Sequence, residues 1–532
     1  MLLQRIQIKN FRCFKDFDLD INGKSLTIVA PNGGGKTALL WAIGSALSGV
    51  RGLDRRDFQR LDSPVEIVAT LTGFTADDQS AFVDAIRFPR GGPTLDIGIR
   101  AVWDEDADRV DVTWGYPEND WLRVRRSARE RLKLVWLPAD RDPSRLVAFV
   151  GGRSVLERLL DSMDLDDALD DALVTMKSAM AALVADAEMA QLLGTLDNDL
   201  ASVIPDVIPG TFDVETAATT SRDLLAQFEL ALSYAGPHAP VSRQSSGLAQ
   251  LAAFVVALQV IRVAPTIVLV DEPELSLHPQ AQRSSFTALS RHALQSLGAT
   301  HSSSLISAVD PRNIVRLKRS DGDTKPRTPR GLTAEDALKL SRYATAETAE
   351  AYFARSVIFV EGPSDFLALR VVARTIGVDL DARGVALVSL QGAGLFGTYL
   401  RLLGPQGLDL DVLGLCDADA EADWQTKLTA AGVTVTDGAA MNTAGFFVCR
   451  PDLEAELIRA LGEGAVEAVI DEEGQTARLA RYVDAPERLG LSRAEQLGAF
   501  ARNNKTRWAP RLADELSPAS VPAPLRELLS RV

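Results

Sequence analysis

The chain has 532 residues, enough for three or four compact units, and its 46% hydrophobic and 24% charged side chains exclude disorder as the default. A net charge of −15 excludes a protein that coats nucleic acid with its whole surface, because that binding rests on Lys and Arg neutralising phosphates; any such contact falls to a local basic patch. Cys13, Cys416 and Cys449 lie far apart with no CxxC spacing, which excludes a disulfide framework and a cysteine zinc site and fits a reducing cytoplasm.

Residues 1–10, MLLQRIQIKN, alternate polar and apolar side chains and read as a strand, not a signal peptide. Strand-like runs follow at 25–30, 65–72, 110–114 and 132–137, with one clear helix after Thr37. Ala30-Pro31-Asn32-Gly33-Gly34-Gly35-Lys36-Thr37 joins the first of these runs to that helix. In this context the N–H groups of Asn32, Gly33 and Gly35 face phosphates, Lys36 reaches the β and γ oxygens, and Thr37 ligates magnesium. Ala30 stands where the pattern has its first glycine; its Cβ resists positive φ, so an altered loop geometry or affinity is expected.

Residues 154–196 change character, with Ala, Leu, Asp and Met at helical spacing, and read as an inserted helical hairpin. It is a candidate dimer contact, or a hairpin packed on its own domain. Strand signals return from 205 and a second ATPase-like block runs to about 318. Within it the window 251–270 is apolar enough to suggest a membrane span, but Gln259, Arg262 and Pro265 interrupt it, so it reads as a buried helix, a turn and a strand. That strand ends Val270-Asp271-Glu272-Pro273-Glu274, the Walker B arrangement: Asp271 holds the Thr37-bound Mg²⁺ and Glu272 polarises the attacking water. The following Leu275-Ser276-Leu277-His278-Pro279 resembles the D-loop of ABC ATPases, and His301 stands where their switch histidine senses the γ-phosphate. Ser245-Ser246-Gly247-Leu248-Ala249-Gln250 resembles a degenerate ABC signature, in which Ser246 and Gly247 contact ATP held by another subunit; it reads equally as a helix N-cap.

A polar, basic linker is expected at 319–330. A new α/β unit opens at Ser356, with strands at 357–360, 385–390, 412–416 and 446–449. The first ends on Glu361 and turns through Gly362-Pro363 to Asp365; the third ends Asp417-Ala418-Asp419. Carboxylates at the ends of parallel strands converge on one crevice, and clustered acids call for a divalent cation, Mg²⁺ or Mn²⁺ for oxygen ligands alone. Glu after one strand and DxD after a later one is the TOPRIM pattern of topoisomerases, primases and some nucleases. A primase's zinc module cannot be built from these cysteines, and none of the six tyrosines announces itself as a topoisomerase nucleophile. Hydrolysis needs nothing further.

The whole chain resembles the OLD (overcoming lysogenization defect) family of ATP-dependent endonucleases, sometimes the nuclease subunit of Gabija-type anti-phage systems. The resemblance is carried by the opening residues 6–14, the split ATPase, Thr300-His301-Ser302, residues 342–354 and Glu361-Gly362-Pro363-Ser364-Asp365. It implies two metal ions on Glu361, Asp365, Asp417 and Asp419, with Glu454 completing the shell and Glu456 as its rival. It also implies a lysine that stabilises transition-state charge, assigned here to Lys505. Arg502, Arg507 and Arg511, with Arg123, Arg125, Arg126, Arg129, Arg131 and Lys133, form basic patches for a DNA backbone.

The expected architecture is therefore α/β. An ABC-type P-loop ATPase (1–150 and 205–320) is split by a helical dimerisation segment (151–204); a linker (321–350) leads to a Rossmann-like TOPRIM domain with a C-terminal helical region (351–532). The expected activity is ATP-regulated endodeoxyribonuclease chemistry in anti-phage defence or DNA processing, using ATP with one Mg²⁺ at the ATPase site and two Mg²⁺ or Mn²⁺ at the TOPRIM site. DNA, further copies of the chain (a dimer or a dimer of dimers) and, by resemblance, a helicase are the expected partners, in the cytoplasm and off the membrane. The rival reading is an SMC- or RecF-like ATPase clamp or scaffold with a non-catalytic TOPRIM fold, although the long heptads of a clamp arm are missing.

Overall fold

The computed structural model describes residues 1–49, 52–139, 141–151, 154–161, 163, 165–203, 218–233, 239–390 and 393–532. The chain forms two compact units: one of Met1–Trp136, Leu269–Glu274 and Gln295–Val532, the other of Leu137–Val268 and Leu275–Leu294.

The larger unit opens with β1 (Leu2–Phe11), β2 (Phe14–Asp20) and β3 (Ser25–Val29), then β4 (Val65–Thr72), β5 (Leu95–Asp104), β6 (Arg109–Tyr116), β7 (Leu122–Arg123) and β8 (Leu134–Leu137). An antiparallel sheet runs β2-β1-β4-β5-β6-β7. Its strands follow the period-two rule: β4 buries Val65, Ile67, Ala69 and Leu71 and leaves the alternate residues part-exposed. Two short strands, β9 (Ala231–Leu232) and β10 (Ala239–Pro240), pair in the smaller unit. The main sheet then gains β11 (Ile267–Asp271), β12 (Gln295–Ala299), β13 (Ile314–Ser320) and β14 (Asp323–Arg327), in the order β14-β13-β3-β12-β11-β8. β3 lies parallel between β12 and β13, and β11 and β12 are buried along their whole length, as strands covered on both faces must be.

Residues 319–330 are mostly not a linker: β13 turns at Asp321 and Gly322, at φ 51° and 74°, and β14 returns antiparallel. Asp-Gly between two strands is a type I′ hairpin signal, masked in the sequence by the polar side chains around it. Those side chains have partners, since Lys318 and Arg327 reach Asp409 Oδ2 at 3.2 and 3.0 Å. The helix Ala334–Arg342 fills much of what remained of the supposed connection.

In the smaller unit the helices Val155–Leu160, Asp166–Val184 and Ala187–Val203 occupy the stretch read as a helical insertion. Leu173 is the buried residue of the second helix, whose remaining length is half-exposed or exposed. The expected return of strand signals at 205 lies outside the described residues. The helix Ser246–Val263 packs on Pro279–His292 and on Val155–Leu160, and β11 follows the break at Pro265. Among the described residues this is the single unbroken helix long and apolar enough to cross a membrane.

The last part of the larger unit carries β15 (Ser356–Val360), β16 (Val385–Ser389), β17 (Asp411–Asp417) and β18 (Phe446–Cys449), all parallel in the order β16-β15-β17-β18. The chain passes from β15 to β16 on one side and then to β17 on the other, so the strand order reverses between β15 and β17, where such sheets open a crevice. One face packs on the C-terminal helices through Val360, Leu369, Trp508 and Leu525. The other buries Phe359 with Phe396, whose ring stacks on Trp424 at 3.8 Å, and this core continues to Val29 on β3 and Ile314 on β13. The buried guanidinium of Arg316 secures that junction, donating to the carbonyls of Ala354, Leu408 and Asp409 at 3.1 to 3.3 Å.

Candidate functional site

The nucleotide-binding candidates gather around the end of β3. Gly33 and Gly35 adopt φ 73° and 98°, and the helix Lys36–Ser48 begins directly after Gly35, so successive N–H groups line the loop and the helix N-terminus. Ala30 is fully buried and is not among the residues with positive φ, so its Cβ imposes no left-handed strain on the loop. Lys36 Nζ donates to the Ala30 carbonyl at 3.0 Å. Burial lowers this ammonium to about 8, although Asp271, Glu272 and Glu274 pull the other way. Thr37 is exposed on the first turn, and Asp271 is buried at the end of β11.

Glu272 leaves that strand at φ 46° with its N–H on the Ala299 carbonyl, which turns its carboxylate towards His301, 3.9 Å from Nε2. Burial, and then the Lys36 charge, hold His301 below the usual imidazole range. Sequence reasoning assigned no role to Glu274. Its oxygens accept from Thr300 Oγ1 at 2.8 Å and from the His301 N–H at 2.5 Å, fixing the histidine loop against the end of β11. A third carboxylate beside the Walker B pair was the available signal.

Ser246 and Gly247 lie in the smaller unit. Ser245 caps the helix there, its Oγ accepting from Leu248 N at 3.5 Å, and Ser246 is exposed on the first turn. A Cβ at Gly247 would lie 2.8 Å from the Ser276 carbonyl, so the signature-like turn and the D-loop-like segment approach backbone to backbone.

The second site forms at the C-terminal edge of the four-stranded sheet. Glu361 follows β15 and accepts the Asp417 N–H on Oε1 at 2.7 Å, tying together the strands that flank the switch point. Asp417 in turn accepts the Leu453 N–H at 3.1 Å. Glu361, Asp417 and exposed Asp419 bring one oxygen each within 4.8 Å of one another. Asp365, on the first turn after Gly362-Pro363, is buried and accepts the Gly362 N–H at 2.9 Å, so it also caps its own helix. Glu454, in the first turn after β18, is fully buried and neither oxygen has a hydrogen-bond partner. Lys505 Nζ stands 3.4 Å from Glu454 and 3.6 Å from Asp417. Glu456, the rival, points elsewhere: it accepts the Arg450 N–H and pairs with Arg459 at 2.8 Å.

The electrostatics follow from burial. Desolvation, then Asp365 and Glu361, push Asp417 up to about 7; desolvation, then Glu454 and Glu361, push Asp365 up to about 6. Burial raises Glu361 and Glu454 as well. Burial would lower Lys505, but Glu454, Asp417 and Asp365 hold its ammonium above the usual value. Buried acids in excess of one lysine, with the fully buried Glu454 compensated by that lysine alone among the described residues, are a donor set for a divalent cation.

The basic patches are largely neutralised, against expectation. Arg502 pairs with Asp452, Arg507 with Glu473, and Arg511 with Glu472, Glu473 and Glu515. Arg125 pairs with Asp84, Arg126 with Glu130 and Arg131 with Asp78, while Arg129 lies over the Trp114 ring. Glu130 and Glu515 are local partners four residues on, but the other acids come from distant segments that charge counting along the chain does not see.

A P-loop ATPase core and a TOPRIM domain in one chain define the class. Family models agree: an AAA domain matches residues 5–117, the TOPRIM domain of overcoming lysogenization defect protein-like chains matches 352–419, and a family described only as a protein of unknown function matches 243–342. The OLD nuclease of Thermus scotoductus is 27% identical over 429 residues, covering 74% of this chain and 77% of that one. The Old nuclease of Escherichia phage P2 is 26% identical over 162 residues, 29% of this chain and 28% of that one. Among solved structures, the C-terminal region of the Burkholderia pseudomallei OLD protein is 29% identical, covering 34% of this chain and 96% of its own, with a TM-score of 0.28. The chain is thus similar to OLD nucleases, in its TOPRIM segment and over most of its length.

Proposed function

We propose that the chain is an ATP-regulated, metal-dependent endonuclease acting on DNA. The observation that carries the reading is the charge excess around Glu454. Among the described residues this fully buried carboxylate has only the Lys505 ammonium, at 3.4 Å, which it shares with Asp417 while Glu361 and Asp365 lie in the same cluster. So many buried acids are costly unless a further cation compensates them. Glu361, Asp365, Asp417, Asp419 and Glu454 would hold divalent ions, two by family resemblance. When bound, Mg²⁺ or Mn²⁺ would activate water and shield phosphate charge.

The chain's own groups do the rest. The N–H groups of Asp417 and Leu453 orient the Glu361 and Asp417 carboxylates. Lys505 offers its ammonium to the charge that builds up on the phosphodiester. At the nucleotide site, Lys36 and the loop N–H groups bind the ATP phosphates, Thr37 and Asp271 would hold Mg²⁺, Glu272 takes a proton from the attacking water, and His301 lies beside it. Ser246 and Gly247 serve ATP bound by a second copy, with the helices between 155 and 203 as the contact between copies. Anti-phage defence and a helicase partner are carried by family alone.

Supercoiled plasmid, incubated with Mg²⁺ or Mn²⁺ with and without ATP, tests the reading. Wild-type protein nicks it; Asp417→Ala abolishes nicking and keeps ATP hydrolysis, and Lys36→Ala does the reverse to hydrolysis. A wild-type chain that binds Mn²⁺ yet leaves every nucleic-acid substrate intact would instead support the clamp or scaffold.

A further inference from the structure

His301 is held from two sides, and the second side does not belong to the nucleotide site. Glu274 fixes its backbone, and Thr300 N donates to the Ile28 carbonyl at 3.2 Å, tying the loop to the phosphate-loop strand. The imidazole itself lies against Phe353, with ring centroids 6.2 Å apart and planes inclined by 29°. That separation lies within the range of favourable aromatic pairs.

Phe353 closes a short helical turn, Ala351–Phe353, three residues before β15 and eight before Glu361. Its neighbours leave it little freedom. Ala351 and Tyr352 are buried in the core that also contains Val29 and Ile306, and the Ala354 carbonyl accepts from the buried Arg316. A ring on this segment therefore keeps a fixed position relative to the strand that delivers Glu361, while its face meets the histidine beside Glu272.

We infer that Phe353 is a positioning residue for His301 and the point at which ATP hydrolysis and TOPRIM cleavage influence each other. The inference rests on the ATPase–nuclease reading above. Movement of His301 on ATP binding or hydrolysis is passed to the root of β15, and displacement of β15 by a bound phosphodiester is passed back.

A double-mutant cycle on the full chain tests this, with Phe353→Leu preserving apolar bulk so that the fold is kept. ATP turnover should fall about tenfold in Phe353→Leu with KM within about twofold, and no further fall should follow when it is added to His301→Ala. Phe353→Tyr, which restores a ring, should recover turnover. Plasmid nicking with Mn²⁺ alone should match wild type, while the ratio of rates with and without ATP should move towards one. Equal losses in the wild-type and His301→Ala backgrounds, or an unchanged ATP ratio, overturn the inference while leaving the nuclease reading intact. A wild-type chain that hydrolyses no ATP overturns both.

Discussion

The two sites of the larger unit are perturbed in opposite senses. At the end of β3 a buried cation, Lys36, is pushed towards neutrality by desolvation although three acids surround it. At the end of β15 and β17 the acids are pushed towards neutrality and the one lysine is held charged. Each pocket disfavours its own charge and so fits a ligand of the opposite sign: phosphates at the first, a metal cation at the second. The direction of the shifts distinguishes two crevices that both lie at strand ends of parallel sheets.

The strongest way to break that contrast is Glu454→Gln, which keeps the shape and removes the charge. Cleavage should drop by about three orders of magnitude, several kcal/mol of barrier, while ATP hydrolysis is unchanged. The metal-free protein should change in stability by no more than about 1 kcal/mol at pH 8, because the variant removes a buried charge together with its ion pair to Lys505. A much larger loss would mean that Lys505 alone compensates Glu454 without a metal.

A change of pH sharpens the same contrast less severely. Asp417 and Asp365 titrate near 7 and 6 in the folded chain against an ordinary value of 3.8. Between those limits the folded state binds more protons than the unfolded one, so this contribution to stability falls as pH rises from about 4 to 7. Cation binding requires the ionised form and releases those protons. The rise in melting temperature caused by Mn²⁺ should therefore be small at pH 5.5 and larger at pH 8, with affinity growing up to about tenfold per pH unit for each proton released. A shift independent of pH would contradict the raised values.

The smallest effect is expected at Gly247→Ala. The new Cβ must displace the Ser276 carbonyl, 2.8 Å away, at a cost of about 1 to 3 kcal/mol. ATP hydrolysis should fall a few-fold and metal-dependent nicking should not change. Loss of nicking would show that the signature-like turn serves both chemistries.

Much of this was legible in the chain itself. The phosphate loop and the carboxylates after β11, β15 and β17 are contiguous motifs, and a strand that runs into a turn fixes where its last side chain goes. The helical character of 155–203 and the break at Pro265 follow likewise from local period and a missing N–H. Less was legible where pairing depends on distant segments. The Asp321-Gly322 hairpin was hidden among charges, and the arginines around Lys505 read as a DNA path because their acid partners, Asp452, Glu472 and Glu473, lie far along the sequence.

The sequence by itself determined the two domain types and singled out the candidate site residues, because phosphate loops and strand-end acids are short patterns whose backbone geometry is local. Only the tertiary structure buried Glu454 beside Lys505 while pairing Glu456 with Arg459, gave most of the arginines of the basic patches acid partners, and set Phe353 against His301. Each of these depends on which distant segments share a core, and a buried charge or ring acquires its role from the neighbours that exclude water around it.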